Sequence, residues 1–164
     1  MTALRRVEVL MKRYLLLAIA ISLVLILAAC STRVAITTDD FISIMSEAGY
    51  VVEDGMDYKE DGRMPIGAIS YFLTYCDGFY VEFFEFDSSA NARKAHNDVQ
   101  RYLENNRGRS SSQTRVNFPS YNRFTQTTDG RYAVLSRIEN TLVMVVTSSQ
   151  NRDAVSAVLW LLSY

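Results

Sequence analysis

Residues 66–95 read IGAISYFLTYCDGFYVEFFEFDSSANARKA, and the pattern of this stretch decides the fold. Two apolar runs, Ile66 to Cys76 and Phe79 to Phe86, flank Asp77-Gly78. Asp-Gly supplies the positive φ that a two-residue hairpin turn needs, so the runs are expected to pair antiparallel. Phe79 to Phe86 is apolar on much of both faces, which predicts a central strand. Ser88-Ser89 then offers hydroxyls that can cap a helix running to about Asn105. Ala92, Ala95, Val99, Tyr102 and Leu103 recur at helical spacing and predict its buried face.

The same order returns near the C-terminus in TLVMVVTSSQNRDAV, residues 141–155. Ser88, Ser89 and Asn91 recur as Ser148, Ser149 and Asn151. Either common descent of two halves or capping chemistry alone accounts for the echo. Upstream of it, Tyr121 to Thr127, Arg131 to Ile138 and Thr141 to Thr147 read as a meander turning at Asp129-Gly130 and Glu139-Asn140. Leu142 to Val146 is wholly apolar and is expected to be buried on both faces. The last helix, about Asn151 to Ser163, is dense in Val, Leu and Trp160, a load expected to dock on the sheet.

Before the opening stretch, Thr37 or Thr38 can cap a helix whose first turn holds Asp39 and Asp40. Phe41, Ile44, Met45 and Ala48 form its apolar stripe, and Gly49 can end it. A strand, Tyr50 to Glu53, and an acidic loop, residues 54–65, follow. The polar run NNRGRSSSQTRVN is expected to be a mobile linker near 105–118. The order α-βββ-α-βββ-α predicts one α+β domain over 37–164. It is read as two-layer, a mainly antiparallel sheet with helices packed on one face.

The N-terminal region has another character. Met11-Lys12-Arg13 precedes sixteen uncharged residues, Tyr14 to Ala29, which stop at Cys30. A basic start, an apolar run and small residues at its end are the parts of an export signal. Sixteen helical residues reach about 24 Å, short of the roughly 30 Å core of a bilayer. Leu27-Ala28-Ala29-Cys30 closely resembles the lipobox of bacterial lipoproteins. The resemblance covers residues 11–32 and implies that the Cys30 thiol receives a diacylglyceryl group, with cleavage before Cys30. Residues 1–29 would then be a removed signal peptide and 30–36 a lipidated tether on the extracytoplasmic face of a membrane. Ser31 fits transfer to an outer membrane if the host has two. Residues 1–10 either precede a start at Met11 or lengthen the basic region.

After Cys30 the chain carries 13 Lys+Arg against 17 Asp+Glu, a formal charge of −4, which argues against a nucleic-acid partner. Cys76 has no partner cysteine there and lies in an apolar run, so a buried inert thiol is expected. His96, the single histidine, is expected at the surface or boundary of the second helix. No catalytic triad, phosphate loop or His/Cys metal spacing can be placed locally, so no metal or cofactor is expected. The acidic loop departs from a calcium-binding EF-hand at Lys59 and Ala68.

Charge is segregated: residues 39–61 hold eight acids and one base, residues 93–137 nine bases and three acids. Tyr121, Arg123, Arg131 and Arg137, on predicted strands, form the candidate ligand-binding set. Tyrosine and arginine are the residue types that recognition surfaces favour. The expected function is a non-enzymatic, lipid-anchored envelope module that binds a protein, polymer or small ligand. The alternative is an envelope-acting enzyme whose site assembles only in three dimensions.

Overall fold

The computed structural model describes residues 33–56 and 65–164. The export segment, Cys30 and residues 57–64 of the acidic loop lie outside the described residues. The elements run α1 (Thr38–Glu47), β1 (Val52–Asp54), β2 (Ala68–Cys76), β3 (Phe79–Phe86), α2 (Ser89–Asn105), β4 (Ser111–Asn117), β5 (Tyr121–Thr128), β6 (Arg131–Ile138), β7 (Thr141–Ser148), a 3-10 turn (Ser149–Asn151) and α3 (Arg152–Leu161). The strands make one seven-stranded sheet in the order β1-β2-β3-β7-β6-β5-β4. Every neighbouring pair is antiparallel, and the class is α+β.

Local chemistry explains the elements. Asp77 and Gly78 both adopt positive φ, as do Asp129 and Gly130. Each pair closes a tight hairpin in register, with Cys76 opposite Phe79 and Thr128 opposite Arg131. Thr37 and Asp40 form a reciprocal capping box at α1, and the Ser88 hydroxyl accepts from the Asn91 amide at α2. The pairing of β3 with β7 sets Phe83 beside Val143 and joins the two meanders into one sheet.

The sheet is covered on both faces, which corrects the expectation of helices on one face. Phe83 and Phe84 are adjacent, so they point to opposite sides, and both are buried. On one side Phe41 and Met45 of α1, Val155, Val158 and Leu159 of α3 and its C-cap Leu162 pack on Val81, Phe83, Val134 and Val143. On the other side Ala92 and Ala95 of α2 pack on Phe84, Phe124, Leu135 and Leu142. Strands that are apolar on both faces need a cover on each. Burying a phenylalanine fully contributes roughly 1.5–3 kcal/mol, and Phe41, Phe83, Phe84, Phe86 and Phe124 are all essentially fully buried.

The expected mobile linker also resolves differently: Ser111–Asn117 is an edge strand paired with β5 along its whole length. Its composition is polar because both its faces meet solvent for most residues. Polar side chains hold it instead. Gln113 donates to Gln126, whose own amide donates to the Leu103 carbonyl at the end of α2. Arg115 pairs with Glu104 of α2 at 2.8 Å and lies over the Phe124 ring. The order is therefore α-βββ-α-ββββ-α.

Three side chains depart from their expected places. Trp160 is 81% exposed, because α3 docks through Val155, Val158 and Leu159 of its other face. Tyr102 is 66% exposed, at the flank of α2. His96 is fully buried beneath α2. Cys76 is buried as expected, and burial pushes its thiol up to about 11.

Candidate functional site

The strand register divides the candidate set Tyr121, Arg123, Arg131 and Arg137. Tyr121 and Arg123 lie on the α1/α3 side, where the Arg33 guanidinium stacks over Tyr121 at 4.4 Å. Arg123 reaches the Tyr164 carbonyl. Arg131 and Arg137 lie on the α2 side but at opposite ends of β6, about 20 Å apart at strand rise. The four do not form one site.

Arg137 is a fully buried guanidinium held by uncharged groups. It donates to Asn122 Oδ1 at 2.6 Å, the Glu139 carbonyl at 2.6 Å, the Pro119 carbonyl at 2.9 Å and Ser89 Oγ at 3.2 Å. Arg93 also donates to the Pro119 carbonyl. Burial, and the charge of Arg93 nearby, lower the pKa of Arg137 from its ordinary value. Its side chain ties α2, the β4–β5 turn, β5 and the β6–β7 turn together, which is a structural task.

His96 lies close enough to Arg137 to feel its charge. Neither ring nitrogen makes a hydrogen bond among the described residues. Burial, chiefly, drives its pKa down to about 4. Asn97 and the Leu135 backbone lie near enough to offset part of this without meeting hydrogen-bond geometry. The imidazole is therefore neutral at pH 7. Among the described residues no group of three or more His, Cys, Asp or Glu is placed to hold a metal.

A groove of about 1000 Å³ lies on the α2 side, between the C-terminal half of α2 and the β1–β2–β3 part of the sheet. The register builds its floor. Glu53, Leu73, Glu82 and Met144 are successive cross-strand neighbours on β1, β2, β3 and β7. Val99, Tyr102 and Leu103 of α2 form one wall, and Tyr71, Tyr80, Val146 and Arg131 complete the lining. The volume lies at the upper end of the range that small-ligand sites span, roughly 300–1,000 Å³.

The polar groups in the groove are specifically placed. Tyr71 stacks on Phe84 with centroids 4.5 Å apart and donates its hydroxyl to Glu82 at 2.9 Å. Tyr80 is half exposed and tilts against Tyr75 at 5.1 Å. Aromatic faces, an apolar floor and convergent carboxylate, hydroxyl and guanidinium groups can hold a ligand with one apolar face and polar edges. Strand alternation already put Tyr71, Tyr80 and Arg131 on strands in the sequence. The position of α2 over only part of the sheet, which opens the groove, left no signal there.

Gly55 sets the position of Tyr71. A Cβ at Gly55 would come within 2.4 Å of the Tyr71 ring. Gly55→Ala is therefore expected to displace that ring, loosen its contact with Glu82 and cost about 1–3 kcal/mol. Thermal unfolding of the variant beside the parent checks this; an unchanged midpoint would contradict the packing described.

Comparison of the chain with protein-family models, curated proteins and solved structures found no match to any of them.

Proposed function

We propose that the chain is a lipid-anchored extracytoplasmic binding protein. Cys30 carries the anchor, and the tyrosine groove takes an amphipathic ligand from the cell envelope. The groove carries this reading: an apolar floor of Leu73, Val99, Leu103 and Met144 with Tyr80 and Tyr102 at its rim and Glu53, Glu82 and Arg131 as polar edges. The Leu-Ala-Ala-Cys sequence and the uncharged run before it support the anchor. Two acyl chains are what stable anchoring needs. The histidine and the cysteine of the described chain, His96 and Cys76, are both buried, and neither lines the groove.

The enzymatic alternative has one observation in its favour, the Tyr71–Glu82 contact inside the groove. A hydroxyl and a carboxylate at hydrogen-bond distance can pass a proton.

One experiment separates the two readings. The full chain in detergent is titrated with soluble muropeptides and short envelope-derived peptides, with binding followed by calorimetry and the ligand analysed afterwards. The binding reading expects an unaltered ligand and an affinity that Tyr102→Ala lowers by about tenfold, as loss of an aromatic anchor does. Saturable binding that Tyr102→Ala and Val99→Trp both leave intact would move the ligand out of the groove. Ligand turnover lost in Tyr71→Phe would favour the enzyme.

A further inference from the structure

Six of the ten large apolar side chains exposed among the described residues lie at one end of the domain. Trp160 is 81% exposed, Val34 76%, Ile66 87%, Phe118 59%, Ile69 57% and Leu161 39%. The register defines that end. β2 begins at Ala68, β5 at Tyr121 and β7 at Thr141, while β3 ends at Phe86 and β6 at Ile138, all at the same end of the sheet. α3 begins after β7 at the far end and finishes here, and the Tyr164 hydroxyl just beyond it is bonded to Thr141. The groove lining at Tyr80, Arg131 and Val146 belongs to the opposite end.

The described chain starts at this same end. The Arg33 guanidinium donates to the Ser163 carbonyl at 3.4 Å, and the Ser163 amide donates in turn to the Trp160 carbonyl. Arg33 also lies over Tyr121. Val34 and Trp160 thus stand on neighbouring segments. Three peptide units separate Cys30 from Arg33, a reach of at most about 11 Å. An acyl-bearing Cys30 brings this end of the domain to the lipid headgroups whatever path those three residues take.

We propose that this end docks on the membrane, with Trp160, Leu161 and Val34 seated in the headgroup layer beside the anchor. The inference rests on lipidation at Cys30. The occupant is a lipid surface because the tether leaves little room for anything else, and because tryptophan's apolar ring and single N–H suit the interface between acyl chain and water. The side chains that seat in the lipid, Trp160, Leu161 and Val34, are all uncharged, so the docking draws on apolar and aromatic contact rather than on anionic lipid. It holds the groove pointing away from the membrane, open to envelope ligands.

Trp160 is the single tryptophan of the chain, so its fluorescence reports this contact alone. The full chain, with the mass of its N-terminal peptide measured, is reconstituted into phosphatidylcholine vesicles with and without brominated acyl chains. The expected result is an emission maximum shifted to shorter wavelength than in the detergent-free domain released by proteolysis of the tether. Brominated lipid should quench it at least twofold, and the quenching should persist in 0.5 M salt. An acylated Cys30 with Trp160 open to acrylamide and untouched by brominated lipid would overturn the docking and leave the anchor standing. A Cys30 without acyl chains would remove both. Leu161→Asp, which sets a charge beside Trp160, should halve the quenching; no change would also count against the docking.

Discussion

Replacing Arg137 with methionine is expected to destabilise the domain by about 3–5 kcal/mol. Methionine keeps much of the volume but none of the donors. Asn122 Oδ1 and the Glu139 carbonyl then lose their partner inside the structure, and the Pro119 carbonyl keeps only Arg93. A buried acceptor left unpaired costs about 1–3 kcal/mol. Arg137→Lys should recover only part, since one ammonium cannot reach four acceptors on three sides. Urea unfolding measures this as a lower midpoint at unchanged slope. A loss under about 1 kcal/mol for Arg137→Met would mean that the guanidinium does not tie these elements together.

Acid should weaken the fold through His96. Its folded pKa is about 4, against an ordinary value of 6.5. Between those values the unfolded chain binds the proton and the folded chain does not. Stability is therefore full above pH 6.5, falls as the pH drops from 6.5 to 4, and levels off below. The whole span is worth about 3 kcal/mol. His96→Leu removes the group and should flatten this part of the profile. Carboxylates such as Asp40 and Asp98, whose pKa values are lowered by their hydrogen bonds, remain in both proteins. The difference between the two pH profiles thus isolates the histidine. Parallel profiles between pH 7 and 4.5 would show that the imidazole is not buried and neutral in the native state.

Much of the fold was legible where local chemistry decides it. Asp77-Gly78, Asp129-Gly130 and Ser88 each enforce a turn or cap regardless of distant partners, and those elements fall where the residues place them. β4 was not legible because its stability comes from Gln113, Arg115 and their partners on β5 and α2, far along the chain. A polar edge strand and a polar linker have the same composition. The two-sided cover was half legible: adjacent Phe83 and Phe84 require burial on both faces, yet nothing local says that α2 crosses to the other side.

The candidate site shows the same division. Tyr71, Tyr80 and Arg131 were readable as strand tyrosines and a strand arginine. Arg137 was readable only as a charge, and its burial depends on carbonyls from two separate turns. The sequence alone puts His96 at the surface or boundary of α2, whereas the structure buries it fully. Its neighbours Ala92, Ala95 and Val99 mark that face, but a polar residue beside the stripe is indistinguishable from one at its border until the sheet is in place.

The claim on which the function rests is the anchor. The most direct measurement is the mass of the N-terminal peptide of the chain purified from the membranes of a bacterium that expresses it. A lipid-anchored protein begins at Cys30, with a diacylglyceryl thioether on its sulfur. A peptide that runs through residues 28–32 uncleaved, with an unmodified Cys30, would contradict it.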